Sequence, residues 1–450
     1  MSAGSPSIVF AATHRRILSA TAAVAASGLI VKIVATLKEF VVAGVYARSD
    51  AMDAFLIAFL IPGLLINLIA ESMNQALAPT LIRVRETQGQ KDALELWSSS
   101  MLFVCVLLGA ASLVMGVWAP AFFPLIAAHF PAAKLTLAIH LFYVLLPVVF
   151  LSGIASQSTA VLNTLEHFTL PAIAPVVMPL ATLLAASFLG PRLGIWALVY
   201  ASLAGAFAHA ACMVALLHRH GYPFFLSWHG WSEPLREVAG QFGPVLLSSI
   251  VASAGLLVDQ SMAGLLPAGS VSTLAYAGRF VGVVVTLLAG AVSSALTPFF
   301  SSMVAVRDWR QCRSILRAWT LRISLISAPL AVLLMVGSRT LVRLAFQHGS
   351  FAAHDTDVVA PVLAMYALQI PFFAASRVPY RLILALRRTD IIFVCGLLNL
   401  GMDIVLNLVL MRFFGVAGIA LATSLWSIGT FFFLSIAAHR LLCAREGATG

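Results

Sequence analysis

Apolar residues run along this chain in long blocks separated by short polar connections, and the blocks recur from one end to the other. In windows of roughly 19 residues they fall at 17–45, 54–82, 97–119, 135–160, 170–189, 195–217, 243–266, 274–304, 323–346, 358–385, 391–412 and 417–439. A helix rises ~1.5 Å per residue, so each block is about as long as the ~30 Å hydrocarbon core of a bilayer. No water reaches that core, which leaves helices or a closed barrel as the structures able to cross it. Barrel strands would show alternating segments of about ten residues, and these blocks do not alternate. The pattern therefore predicts an all-α integral membrane protein with about twelve transmembrane helices. His14, Arg15 and Arg16 precede the first block, but it runs past the length of a signal-peptide core and lacks a small-x-small cleavage site. It is read as a helix rather than a leader.

Composition agrees: 61% of the 450 residues are hydrophobic and 10% charged, which excludes an ordinary soluble domain. The formal charge of +10 is distributed unevenly over the connections. The termini and even-numbered connections carry Arg15, Arg16, Arg83, Arg85, Lys91, Arg219, Arg236, Arg307, Arg310, Arg313, Arg317, Arg322, Arg387, Arg388, Arg440 and Arg445, against Arg48, Lys134, Arg192 and Arg412 on the opposite side. This asymmetry predicts that both termini lie in the cytoplasm, and it accounts for the positive charge without nucleic acid. Cys105, Cys212, Cys312, Cys395 and Cys443 include no CxxC pair, so neither a disulfide nor a metal is expected. Phosphate-cradling GxxxxGK[ST], HExxH, GxSxG and Gly-rich dinucleotide patterns are all missing, and no enzymatic activity or cofactor is expected. Energy for any transport would come from an ion gradient or the membrane potential.

The two halves echo each other. ALAP at 76–79 and ALTP at 295–298 are each followed by a basic-acidic pair, Arg85-Glu86 and Arg307-Asp308, at offsets of 219 and 222. Pro147 and Pro371, and Gly194-Ile195 and Gly418-Ile419, stand 224 apart. An even number of spans per copy gives both copies one orientation, the parallel-repeat arrangement of transporters. The expected organisation is a six-helix lobe at 1–217, a cytoplasmic linker at 218–241 and a second six-helix lobe at 242–450.

Charges inside the spans are the candidate chemistry. Lys32, Lys38, Glu39, Glu71, Asp259, Arg279 and Asp403 lie deep enough that each costs about 2.5–3.5 kcal/mol unless it faces water or a partner. Lys32 and Glu39, seven residues apart, share a helix face, whereas Lys38 projects elsewhere. A cavity lined by Lys32, Lys38 and Arg279 suits a phosphate or pyrophosphate. Glu39, Glu71, Asp259 and Asp403 can neutralise those cations or hold a coupling cation. Arg377 and Arg381, four apart, share a face as interface anchors or as contacts for an entering lipid phosphate.

Segment 37–65, LKEFVVAGVYARSDAMDAFLIAFLIPGLL, with AES following, resembles the amino-terminal signature of the MviN/MurJ flippases. AVLNTLEHFTLPAIAPVVMP, GSVSTLAYAGRF and LAFQHGSFAAHDT are similar to later segments of that family, in the same order over nearly the whole chain. The resemblance implies a flippase of the multidrug/oligosaccharidyl-lipid/polysaccharide exporter superfamily, in the bacterial inner membrane. Its cationic central cavity would move an undecaprenyl-pyrophosphate-linked sugar, lipid II or a related lipid-linked oligosaccharide, to the outer leaflet by alternating access. By position, Lys32, Lys38, Asp53, Glu71 and Arg279 then match substrate-binding residues. The sequence also departs from the pattern: lysines replace the usual arginines at 32 and 38, Ile66-Asn67 stands about where the family carries another arginine, and Ser72-Met73 replaces Gly-Ala. Peptidoglycan-precursor flippases also add two carboxy-terminal spans. Export of an exopolysaccharide or O-antigen unit, or a scaffold role in polysaccharide synthesis, are the alternatives.

Overall fold

A computed structural model describes residues 6–165, 167–222 and 226–447, with side chains described from residue 26 onward except at 252, 294 and 447. Twelve long helices follow one another: α1 (Pro6–Tyr46), α2 (Asp50–Thr87), α3 (Gln90–Ile126), α4 (Ala132–Thr164), α5 (Thr169–Phe188), α6 (Trp196–Arg219), α7 (Glu233–Gly264), α8 (Ser270–Ala305), α9 (Trp309–Val336), α10 (Ala353–Ala385), α11 (Thr389–Phe414) and α12 (Val416–Gly447). Among the described residues no strand occurs, and the eleven helices from α2 onward are long and apolar enough to cross a membrane. Large apolar side chains such as Leu125, Phe188, Ile326, Val336 and Phe413 are more than 60% exposed, an arrangement stable only where hydrocarbon replaces water. Arg15 and Arg16, counted in the orientation argument, have side chains outside the described residues.

The ninth span lies earlier than expected, at Trp309–Val336 rather than 323–346. Asp308 starts it by accepting the Gln311 N–H at 3.0 Å, and Gly337 ends it before a short helix, Ser338–Phe346. Arg310, Arg313, Arg317 and Arg322 lower the hydropathy of its first turns, which pulled the apolar window toward the C-terminus. The correction leaves Arg339 and Arg343 in the stretch after the span and draws Arg310, Arg313, Arg317 and Arg322, counted in the orientation argument as a connection, into its first turns. Within the expected linker 218–241, Glu233 already opens α7.

Two compact units emerge, and the chain passes between them inside helices as well as at their ends. The first contains α1 up to Val45, residues 58–122 and 136–250. Its core joins Met73, Leu77 and Leu81 of α2 to Trp97, Met101 and Leu108 of α3, Val161 of α4 and Met213 and Leu217 of α6. In the same unit Gly205 lets α6 approach α5 so closely that a Cβ there would stand 2.8 Å from Met178 Cα. The second contains Tyr46–Ile57, Phe123–Leu135 and the chain from Val251. Its hub is the second half of α10 (Gln369–Ala385), which packs Ala374, Ala375, Val378 and Leu382 against α8, α9 and α12.

Candidate functional site

In the first unit, α1 exposes Leu29, Ile30, Ile33 and Leu37 along one stripe. At about 100° per residue, Lys32 projects about 115° from the centre of that stripe, on the azimuth of Glu39. Lys32 is exposed and makes no side-chain hydrogen bond or ion pair with a described residue. Lys38 Nζ instead lies 2.7 Å from Glu39 Oε1, with the glutamate buried. The two lysines thus differ: one is held by a local counter-charge, the other is left accessible off the lipid-facing stripe.

Glu71 closes a π-helical turn, Ile66–Glu71, that interrupts α2 four residues after Pro62. Such a turn inserts one extra residue and re-aims everything beyond it by about 100° relative to an α-helix. Side chains of α4 meet this turn: Gln157 Nε2 donates to the backbone Ala70 O at 3.0 Å, and Ser156 Oγ donates to the Glu71 carboxylate Oε1 at 3.1 Å. Asn74 approaches Ser156 from the next turn at 3.4 Å. Glu71 itself stays exposed, so its carboxylate is oriented yet open.

The second unit carries Arg279 on α8. It is exposed, and Gly282, Val283, Thr286 and Gly290 follow on the same face. That face is smaller and more polar than a lipid-facing stripe such as Leu321, Leu325, Ile326 and Val332 on α9.

Asp259 of α7 and Asp403 of α11 come together deep in this unit. Asn407 Nδ2 donates to Asp259 Oδ1 at 2.8 Å and to Asp403 Oδ1 at 3.3 Å, and Thr423 Oγ1 of α12 donates to Asp259 Oδ2 at 3.3 Å. Gly255, one turn before Asp259, permits the approach: a Cβ there would stand 3.7 Å from Asp403 Oδ2. Asp403 is 2% exposed and Asn407 0%, yet Asp403 Oδ2 and Asn407 Oδ1 have no hydrogen-bond partner among the described residues. Two carboxylates, an amide oxygen and a hydroxyl form an all-oxygen set of the kind that holds hard cations. No group of three or more His, Cys, Asp or Glu that could hold a metal ion assembles among the described residues.

Asp53, matched by resemblance to substrate-binding residues, has a different task. It is 1% exposed and accepts the N–H groups of Gly269 at 2.7 Å and Ser272 at 2.8 Å and the ammonium of Lys134 at 3.0 Å. Gly269 precedes α8 with φ +82°, has no side chain to cap it, and would place a Cβ 2.9 Å from Arg48 O. Asp53 therefore caps α8 from α2. Around it, Lys134 Nζ also binds Asp50 at 2.7 Å, and Arg48 reaches Thr273 Oγ1 at 2.6 Å and Asp355 Oδ1 at 3.4 Å. The Asp53 carboxylate is thus buried and engaged by three partners within the second unit.

Lys38 with Glu39, and Asp259 with Asp403, are thus brought together, while Lys32, Glu71 and Arg279 are each set on an exposed face. Sequence reasoning missed Ser156, Gln157, Asn407 and Thr423. Asn407 follows Asp403 by four residues on one helix face, a readable signal, whereas Ser156-Gln157 is a polar pair inside an apolar span whose partner lies on another helix.

Comparison with known proteins bears on the family and the fold. The family described as lipid II flippase MurJ matches residues 43–448. The chain is 28% identical over 361 residues to the lipid II flippase MurJ of Burkholderia cenocepacia, covering 76% of this chain and 68% of that protein. Among solved structures it is similar to a lipid II flippase MurJ in an inward closed conformation, with TM-score 0.79, 22% identity, and 92% and 87% of the two chains covered. It is also similar to an inward-facing multidrug resistance MATE family transporter of the MOP superfamily, with TM-score 0.78, 12% identity, and 93% and 96% covered. With nine-tenths of its length matched by the family pattern, this all-helical membrane chain belongs to the lipid II flippase MurJ family.

Proposed function

We propose that this protein moves lipid II across the bacterial inner membrane, with Lys32, Lys38 and Arg279 as the cations offered to its pyrophosphate. The observation that carries the reading is that Lys32 stays accessible on α1, about 115° from that helix's exposed apolar stripe, where a merely anchoring lysine would lie along lipid. Lys38 is neutralised by Glu39 until a more negative ligand competes for it. Lysine at 32 and 38 acts as a point charge, so the fork-like recognition of phosphate falls to Arg279. The oriented carboxylate of Glu71 offers a hydrogen-bond acceptor to the sugar or peptide of the substrate. The family match favours lipid II over an exopolysaccharide or O-antigen unit.

The sequence repeat supports two lobes that alternate access to a central cationic cavity, and the surplus of basic residues supports cytoplasmic termini. Energy would enter through a cation held by Asp259, Asp403 Oδ2, Asn407 Oδ1 and Thr423. Its charge offsets two buried carboxylates that otherwise face each other with one amide between them.

The test is leaflet exposure of labelled lipid II and of an undecaprenyl-pyrophosphate oligosaccharide in proteoliposomes, under an imposed potential or ion gradient. Wild type is expected to move lipid II, and Lys32→Ala to abolish movement while remaining folded. If wild type moves neither lipid, the scaffold reading takes over; movement of the oligosaccharide alone would transfer the assignment to another lipid-linked sugar.

A further inference from the structure

Arg377 and Arg381 lie one turn apart near the end of α10, before the basic connection at 386–388. They share a face with Phe373, Tyr380 and Leu384, roughly opposite Ala375, Val378 and Leu382, which pack into the core. Arg377 Cζ stands 4.0 Å from the Phe373 ring centroid and 5.5 Å from that of Tyr380, and Arg381 Cζ stands 5.7 Å from Tyr380. Both residues are half-buried.

What is missing is a counter-charge. Neither guanidinium has an ion pair or hydrogen bond with a described residue, and the Nε of each is buried without a partner. The carboxylate nearest in sequence, Asp390, is already held by Arg388, with contacts of 2.7 Å and 2.9 Å. Partly desolvated arginines are normally paired, and an aromatic ring compensates only part of that cost. A snorkelling anchor would carry its whole guanidinium into the headgroups, whereas here each Nε is buried and the terminal nitrogens remain to be engaged. Stacking on a ring face leaves the in-plane N–H edge free, and that edge matches two phosphate oxygens.

We propose that Arg377 and Arg381 form a phosphoanion site of their own, which takes the phosphate of a lipid headgroup at the basic end of the second unit. Two sources share this chemistry: the pyrophosphate of the transported lipid and the phosphodiester of a bulk anionic phospholipid. A part in transport rests on the flippase reading; binding of a lipid phosphate does not.

The experiment titrates the purified full chain in neutral detergent with farnesyl pyrophosphate and with phosphatidylglycerol, counting bound lipid by native mass spectrometry. Lys32→Ala/Arg279→Ala serves as the background in which the other cations are removed. That variant is expected to retain one saturable lipid-phosphate site. Adding Arg377→Gln/Arg381→Gln is expected to weaken the site by at least about tenfold, the value of one charge-assisted hydrogen bond. Arg377→Lys/Arg381→Lys, which preserves charge and folding but not the fork, is expected to fall in between. Preference for farnesyl pyrophosphate assigns the site to the transported lipid, and preference for phosphatidylglycerol assigns it to bulk lipid. Loss of all binding in the background variant overturns the proposal, as does an affinity that stays within about twofold when both arginines become glutamine. Failure of the flippase reading shows separately, as wild-type protein that binds phosphatidylglycerol here but moves no lipid II in proteoliposomes.

Discussion

Removing the Asp53 carboxylate is expected to be among the most damaging single changes to the second unit. Asp53→Ala leaves two N–H groups of the α8 N-terminus, at Gly269 and Ser272, without their acceptor, and takes one of two carboxylates from Lys134, whose side chain is 4% exposed. Breaking a buried pair costs about 3–5 kcal/mol and losing a helix cap about 0.5–2 kcal/mol. Asp50 still binds Lys134, but from a side chain 61% exposed, so it retains part of the first quantity. A net loss of about 3–5 kcal/mol follows. Asp53→Asn keeps an acceptor for one N–H but not the charge, and should lose about 1.5–3 kcal/mol, the worth of hydrogen bonds to a charged group. The assay is equilibrium unfolding of the full chain in mixed micelles, monitored by tryptophan fluorescence, within a double-mutant cycle that includes Lys134→Met. Coupling of at least about 1 kcal/mol between positions 53 and 134 is expected. An Asp53→Ala protein within about 0.5 kcal/mol of wild type, or a cycle that is purely additive, would refute the capping argument.

Three further outcomes are expected. Sodium or another hard cation should stabilise wild type by about 2.7 kcal/mol at a hundredfold excess over its dissociation constant, and Asp403→Asn should abolish that dependence; a salt-independent wild type would remove the cation from the mechanism. Gly205→Ala should destabilise by about 1–3 kcal/mol because its Cβ meets the Met178 backbone, whereas Gly240→Ala, which has open space around it, should be neutral or stabilising by up to about 1 kcal/mol. Tyr222, in the connection after α6, has its phenol pushed up from 10.0 by burial. The unfolded chain therefore loses that proton first, and stability should decline as pH rises above 10.0, a decline that Tyr222→Phe should lessen in unfolding measured across that range.

Much of the architecture is written in the apolar runs. Crossing a bilayer demands length and hydrophobicity, and both are local properties, so eleven of the expected spans fall on long helices, although the apolar windows stop short of polar helix ends, as at α7, which opens at Glu233 rather than 243. Where charge competes with hydropathy the reading slipped, as at α9, whose first turns carry Arg310, Arg313, Arg317 and Arg322. The site was legible only as an inventory of expensive residues. Lys32 and Glu39 could be set on one face because helix periodicity is local, but Glu71 sits beyond a π turn that no pattern of residue types announces. The task of Asp53 was hidden for a different reason: its partners lie 81, 216 and 219 residues away in sequence. The pairing of Asp259 with Asp403 spans helices in the same manner, although Asn407, a single turn from Asp403, could have been added to that inventory.

The exchanges between the two units fall at 45/46, in the last turn of α1, and at 57/58, 122/123, 135/136 and 250/251, within α2, α3, α4 and α7 rather than in their connections. Wherever the chain passes from one unit to the other, it does so as a rod rather than a cord. A loop transmits almost no torque, whereas a continuous hydrogen-bonded helix carries bending and twist along its whole length. Stiffness then varies with local backbone bonding, and α2, with Pro62 and the widened turn at Ile66–Glu71, holds its most compliant section beside Glu71. A deflection of that rod necessarily turns the carboxylate it carries, so ligand chemistry and shape change share one mechanical element.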